Sequence, residues 1–258
     1  MPSRPPIEEL VGRGQSLNRL NDLLRRALDG HRVTVLVSGE AGVGKTSLVQ
    51  AVTAAAAEHG AQTSWGTCVD VDGAPGHWPW VQVLNGLVRA IGAEQSRQLA
   101  GDDAAVLSSL VSSLGDAPHG EATDRDRLLL LDAMTRFLDV LAAKRPLVLV
   151  LDDLQGADDS SLALFDFVAR APQQSRVFLI GAYRHDELKP SARARLSALI
   201  SHSPHLHLQG LDSDAVHQLV ERLLGRPADH AMTDAIHRRT GGSPVLRTRD
   251  RPAQRSCA

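Results

Sequence analysis

Gly39-Glu40-Ala41-Gly42-Val43-Gly44-Lys45-Thr46 has the form G-x-x-x-x-G-K-[ST], and its reading decides the fold. The stretch before it, Val33 to Ser38, is short, apolar and rich in β-branched residues. The stretch after it, Ser47 to Ala57, reads as a helix. Strand, glycine loop and helix in that order are the setting in which such a loop cradles phosphate. Its glycines permit a tight path that turns successive N–H groups toward phosphate oxygens, and the following helix adds its positive end. Gly39, Glu40, Ala41, Gly42, Val43, Gly44, Lys45, Thr46 and Ser47 are therefore the candidate phosphate-binding residues. Lys45 should reach the β- and γ-phosphates, and the Thr46 hydroxyl should meet Mg²⁺. Only Lys45, Lys144 and Lys189 are lysines among 28 Lys and Arg residues, so a lysine at this position is not background.

The second informative stretch is Leu147-Val148-Leu149-Val150-Leu151-Asp152-Asp153. An unbroken apolar run fits a strand covered on both faces in a parallel sheet. Two acids at its C-terminal end sit where open α/β sheets bind ligands. This is the Walker B pattern. Asp152 is the candidate Mg²⁺ residue, and Asp153 the candidate for positioning or activating a water. A further strand, Arg176 to Ala182, ends at Tyr183-Arg184. A cation there could sense a γ-phosphate, the role called sensor 1.

Composition narrows the class. At 258 residues, 43% hydrophobic and 22% charged, the chain suits one α/β domain plus something small. A net charge of −2 gives no global drive toward nucleic acid or membrane. No apolar run approaches the roughly 18 residues of a membrane span, and Met1 to Glu9 is no signal peptide. Cys68 and Cys257 form no motif and read as free thiols of a reducing cytoplasm. His205 and His207 alternate on a short strand, which offers either a metal pair or a solvated face.

The remaining elements follow from periodicity and punctuation. Leu17, Leu20, Leu24, Ala27 and Leu28 recur at helical spacing before Asp29-Gly30. Gln62 to Thr67 reads as a strand, Val71 to Gly76 as a loop, and His77-Trp78-Pro79-Trp80 leads into a helix. The two tryptophans pack this loop on the core or cover a base. Asp102 to Leu114 reads as helix, Gly115 to Glu121 as loop, and Asp124 to Ala143 as a long helix stopped by Pro146. Ser160 to Arg170 and Ser191 to Ile200 are helices, and Leu206 to Leu208 a last strand. Leu211 to Leu224 and Ala228 to Thr240 are two more helices around Gly225-Arg226-Pro227. The expected layout is a disordered segment 1–9, a core 10–209, a small helical lid 210–246 and a disordered Arg-rich tail 247–258.

The residues together resemble the signal-transduction ATPases with numerous domains (STAND), within the AAA+ group, and most of all the ATPase region of large LuxR-type bacterial transcriptional regulators. The resemblance runs over roughly residues 10 to 246. It rests on Val11-Gly12-Arg13, the phosphate loop, Trp78-Pro79-Trp80, Leu151 to Gln155 with Ala157-Asp158, Gly181-Ala182-Tyr183-Arg184, and Thr240-Gly241-Gly242-Ser243-Pro244. It implies a P-loop NTPase three-layer α/β sandwich with a five-stranded parallel sheet in the order 5-1-4-3-2 and a helical lid. That order would set Arg184 between the phosphate loop and Asp152. It also implies an ATP/ADP switch with slow hydrolysis, self-association in the ATP state and a regulatory partner. Gly12 and Arg13 would lie near the adenine, and Pro244 would contact the base. Gly156 stands where the family carries an aromatic residue. Arg247 to Pro252 replace an expected apolar helix, as at the end of a truncated or frame-shifted reading frame, and no DNA-reading domain is visible. Three other readings of the residues stay open. They are a module that holds nucleotide without turnover, a small-molecule phosphotransferase, and DNA binding by the Arg-rich tail.

Overall fold

Strand β1, Val33–Gly39, is buried along its whole length and lies inside a five-stranded sheet. The structure is a computed structural model and describes residues 10–70, 75–116, 123–172 and 174–244. The other strands are β2 (Gln62–Thr67), β3 (Leu147–Asp152), β4 (Val177–Tyr183) and β5 (His205–Leu208). All neighbours pair in parallel, in the order β2-β3-β4-β1-β5. This is the expected 5-1-4-3-2 sheet read from its other edge. Ser38 lies opposite Tyr183 and Leu151 opposite Gly181, so the C-terminal ends of β1, β4 and β3 are level.

Side-chain alternation builds two cores. Val35, Val37, Val148, Val150, Phe178 and Ile180 face helices α1 (Gly14–Leu28) and α2 (Lys45–Glu58). Leu36, Leu149, Leu151 and Leu179 face the opposite layer. That layer holds α3 (Trp78–Ile91), α4 (Ala93–Ala100), α5 (Ala104–Leu107), α6 (Asp124–Lys144), α7 (Asp159–Arg170) and α8 (Pro190–Ile200). Each fully buried Leu, Ile, Val or Phe contributes roughly 1.5–3 kcal/mol, so the apolar runs of β1, β3 and β4 anchor the sandwich. A third, small core of Val11, Leu211, Ala215 and Val216 holds α9 (Ser213–Leu224) and α10 (His230–Thr240).

The helix ends have local causes. Thr123 and Asp126 form a reciprocal capping box at the start of α6, and Pro146 follows its end. The Asp158 carboxylate accepts from the Ser161 N–H at 2.8 Å, and that of Asp212 accepts from the Ala215 N–H at 2.8 Å. Trp80 is fully buried, and its indole N–H donates to the Ser161 carbonyl at 3.0 Å, which makes it a packing residue. Trp78 is 37% exposed.

One expected helix is absent. Residues 102–114 form a 3-10 turn, the short α5 and a second 3-10 turn, Ser112–Leu114. The Ser108 hydroxyl donates to the Ala105 and Asp116 carbonyls and that of Ser109 to the Val106 carbonyl, in competition with the helical pattern. Helix α4 lies instead in a stretch the sequence left unassigned, set off by Gly92 and Gly101. Several expectations lie wholly or partly outside the described residues: the segments 1–9 and 247–258, the last residues of the lid, Cys257, and most of the loops 71–76 and 115–121.

Gly181, in β4, is ringed by side chains. A Cβ there would lie 2.7 Å from Leu154 Cδ1 and 2.9 Å from both Leu36 Cδ2 and Phe165 Cζ. Gly181→Ala is expected to cost about 1–3 kcal/mol through overpacking. Differential scanning calorimetry should register this as a melting temperature lower by about 2–10 °C. An unchanged melting temperature would mean that Leu154 gives way freely.

Candidate functional site

The phosphate-loop residues gather at the level ends of β1, β4 and β3. Gly39 ends β1 hard against β5, where a Cβ would meet the Leu208 carbonyl oxygen at 2.6 Å. Gly44, at φ +101°, occupies a conformation costly to residues with a Cβ and turns the chain into α2. Lys45 and Thr46 therefore emerge in the first helical turn, with Ser47 beside them. Lys45 is 6% exposed, and its Nζ donates to the carbonyls of Gly39 at 2.8 Å and Glu40 at 2.9 Å. Burial lowers its pKa from the ordinary lysine value, and the positive charge of Arg184 lowers it further. A phosphate in the loop would reverse that shift.

Across the sheet, Thr46 Oγ1 donates to Asp152 Oδ2 at 2.9 Å. This joins the loop to the end of β3 over the intervening β4. Burial raises the Asp152 carboxyl above its usual pKa, and the Thr46 hydrogen bond pulls against that rise. A hydroxyl and a half-screened carboxylate in contact are hard oxygen donors of the kind that hold Mg²⁺ when phosphates and waters complete its shell. No group of three His, Cys, Asp or Glu suited to a metal occurs among the described residues. The residues present thus fit a phosphate-assisted Mg²⁺ and no cage built from protein alone.

Asp153 stands apart from its neighbours in backbone. Its φ of +55° is left-handed, one of two such non-glycine residues among those described. Asp tolerates this conformation better than most side chains, and such residues concentrate at functional sites. Its N–H donates to Asp152 Oδ1 at 2.9 Å, and Arg184 Nη2 lies 3.6 Å from Asp153 Oδ1. Arg184, just beyond β4, also donates through Nη1 to both Glu187 oxygens at 3.0 and 3.1 Å. Those bonds raise the pKa of its guanidinium.

Arg13 comes to the loop from behind. It is 8% exposed, and its Nη2 donates to the carbonyls of Val43 at 2.8 Å and Gln209 at 2.7 Å. Its guanidinium thus braces the loop against the chain leaving β5. Gly12 backs onto α9, where a Cβ would meet Ala215 Cβ at 2.7 Å. At the far end of the helical pair, Ser243 Oγ donates to the Gly42 carbonyl at 3.3 Å and leads into exposed Pro244. Arg13 and Ser243 thus both bond loop carbonyls, at Val43 and Gly42.

Sequence reasoning missed several groups. Glu187 was visible only as an acid three residues after Arg184. Gln155 stands in the Leu151 to Gln155 motif, which by itself assigns it no role. His205 is half-buried while His207 is exposed, so the solvated-face reading holds for His207. His205 Nε2 and His207 Nδ1 both hydrogen-bond Ser38 Oγ, at 2.8 and 3.0 Å, and His205 Nε2 also meets the Tyr183 hydroxyl at 3.2 Å. This network underpins the residue before Gly39. Cys68 is buried, and burial pushes its thiol pKa up, so it is an inert packing thiol. Among the described residues, no helix is long and apolar enough to cross a membrane.

Residues 9–180 match the AAA ATPase domain family. No curated protein sequence gives a significant match. Among solved structures, the chain is similar to the Aeropyrum pernix ORC2 protein in its ADP form, at 20% identity and a TM-score of 0.56, covering 94% of this chain and 62% of that one. It is also similar to Cdc6p from Pyrobaculum aerophilum, at 17% identity and a TM-score of 0.50, covering 88% of this chain and 53% of that one. Both likenesses concern the fold, and this chain spans less than two thirds of either protein's length.

Proposed function

The chain belongs to the AAA ATPase domain family, and on that premise we propose that it binds Mg-ATP and hydrolyses it slowly as a regulatory switch. The observation that carries this reading is the contact of Thr46 with Asp152, which brings the phosphate loop and the Walker B acid to one point. Lys45 and the loop N–H groups would hold the β- and γ-phosphates, and Thr46 with Asp152 would hold Mg²⁺. The metal supplies charge neutralisation at the phosphates. Asp153 would orient and deprotonate water, and Arg184 would stabilise charge on the terminal phosphate.

Residues 210–246 would act as a lid over a core of residues 10–209. Gly12, Arg13 and Pro244 would border the base. Differential contacts to the terminal phosphate are what a two-state switch needs, and Arg184, held between Asp153 and Glu187, is placed to exchange partners. The resemblance to LuxR-type STAND regulators supports a role as the ATPase part of a cytoplasmic transcriptional regulator, with self-association in the ATP state and a protein partner receiving the output.

Asp153→Asn tests the reading. Mg-ATP affinity should stay within about threefold, while turnover at saturating ATP should fall about 100-fold, the scale of a lost general base. Equal turnover would remove Asp153 from this role. Stable binding with no turnover even in the unaltered chain would instead favour a module that holds nucleotide without using it.

A further inference from the structure

We infer that Gln155 is a positioning residue that orients the Asp153 carboxylate and registers it against Arg184. This rests on the proposed hydrolysis at the same site. The Gln155 amide makes two bonds of opposite sense. Its Nε2 donates to Asp153 Oδ1 at 2.7 Å, and its Oε1 accepts from the Arg184 backbone N–H at 3.0 Å. A primary amide can donate and accept at once, whereas an ionised carboxylate only accepts.

The turn that carries Gln155 is clamped on both sides. Leu154 is fully buried against Gly181. Gly156 lies so near the backbone that a Cβ would come 3.1 Å from the Asp70 nitrogen. The Gly156 N–H closes the turn on the Asp153 carbonyl at 2.8 Å. Gln155 is therefore delivered between the ends of β3 and β4 by two immobilised neighbours.

Gln155 and Arg184 both engage Oδ1 of Asp153, at 2.7 and 3.6 Å. Proton acceptance then falls to Oδ2. In the step served, the attacking water gives its proton to Asp153 as its oxygen bonds the terminal phosphorus. The bond to the bridging oxygen breaks, and ADP leaves with the electron pair. Gln155 touches no reactant. It fixes which carboxylate oxygen faces the water and where the Arg184 side chain begins.

The test compares the unaltered chain with Gln155→Leu and Gln155→Glu. The readouts are kcat at saturating Mg-ATP between about pH 5 and 8, Mg-ATP affinity, and melting temperature. Gln155→Leu should lose about 10–100-fold in kcat at every pH, with affinity and melting temperature nearly unchanged. Gln155→Glu should be as slow near pH 8. Relative to the unaltered chain it should recover about tenfold toward pH 5, because the protonated carboxyl again both donates and accepts. A residue that merely filled space would give no such pH-dependent ratio. A flat ratio for Gln155→Glu, or normal kcat in Gln155→Leu, overturns the inference alone. An unaltered chain without turnover overturns the hydrolysis reading and this inference with it.

Discussion

Lys45→Ala is expected to weaken Mg-ATP binding by at least about 100-fold, on the order of 3 kcal/mol, when followed by isothermal titration calorimetry. Lys45 is 6% exposed, and its ammonium donates to the Gly39 and Glu40 carbonyls, so it is held ready within the loop. Removing it takes away a charge-assisted donor in a desolvated place, where such bonds are strongest. The nucleotide-free fold should hardly notice. Truncation to Ala leaves room for water to bond the two carbonyls in the ammonium's place. A melting temperature within about 2 °C of the unaltered chain would separate loss of ligand contact from loss of fold.

The same lysine gives the binding a pH signature. Its pKa in the free chain is depressed by burial and by Arg184. A bound polyphosphate raises it again, so binding takes up a proton at alkaline pH. Affinity should therefore be greatest where the free ammonium is already protonated and fall as pH rises through its depressed pKa. Lys45→Ala should abolish that dependence on the alkaline side. Unchanged affinity in the variant would mean that nucleotide does not use this loop.

The legible parts of the molecule were those encoded locally. Strand β3 carries an unbroken apolar run, Leu147 to Leu151, and β1 is rich in Val and Leu, the pattern that full burial on both faces of a parallel sheet produces. The phosphate loop was legible because its glycines and lysine answer to one ligand shape. The AAA+ part of the resemblance is matched over residues 9–180. Illegible features depended on tertiary neighbours. Arg13 binds two backbone carbonyls, at Val43 and Gln209, and carbonyls leave no mark in a sequence. Gln155 acquires its geometry only because β3 and β4 end level with each other. The 102–114 stretch misled because its apolar spacing is helical while Ser108 and Ser109 hydroxyls end the helix early.

Gly242→Ala should undock the α9–α10 pair, although it removes no functional group. Gly242 has φ +74°, and a Cβ would lie 2.0 Å from the Leu211 carbonyl oxygen and 2.6 Å from the Leu211 nitrogen. Its own carbonyl accepts from the Leu211 N–H at 2.7 Å, while His237 Nε2 meets the Leu211 carbonyl at 3.1 Å. Leu211 in turn packs with Val11, Ala215 and Val216. The helical pair thus closes on a backbone-to-backbone approach that admits no side chain at Gly242, nor at Gly210, where a Cβ would lie 1.9 Å from the Gly241 carbonyl oxygen. Gly225→Ala is the control, since it has φ +63° and nothing within 4 Å of a Cβ. Both substitutions carry the left-handed penalty of about 1–2 kcal/mol, and only Gly242→Ala also forces the backbones apart. Hydrogen exchange should show α9 and α10 amides at least about tenfold less protected in Gly242→Ala than in Gly225→Ala. Nucleotide affinity should fall in parallel if the pair acts as a lid, because Ser243 and Pro244 leave the loop with it. Equal protection in the two variants would mean that the small apolar core and the Ser213–Asp234 and His217–Thr233 hydrogen bonds hold the helices, and that the Gly241-Gly242 turn follows their position without fixing it.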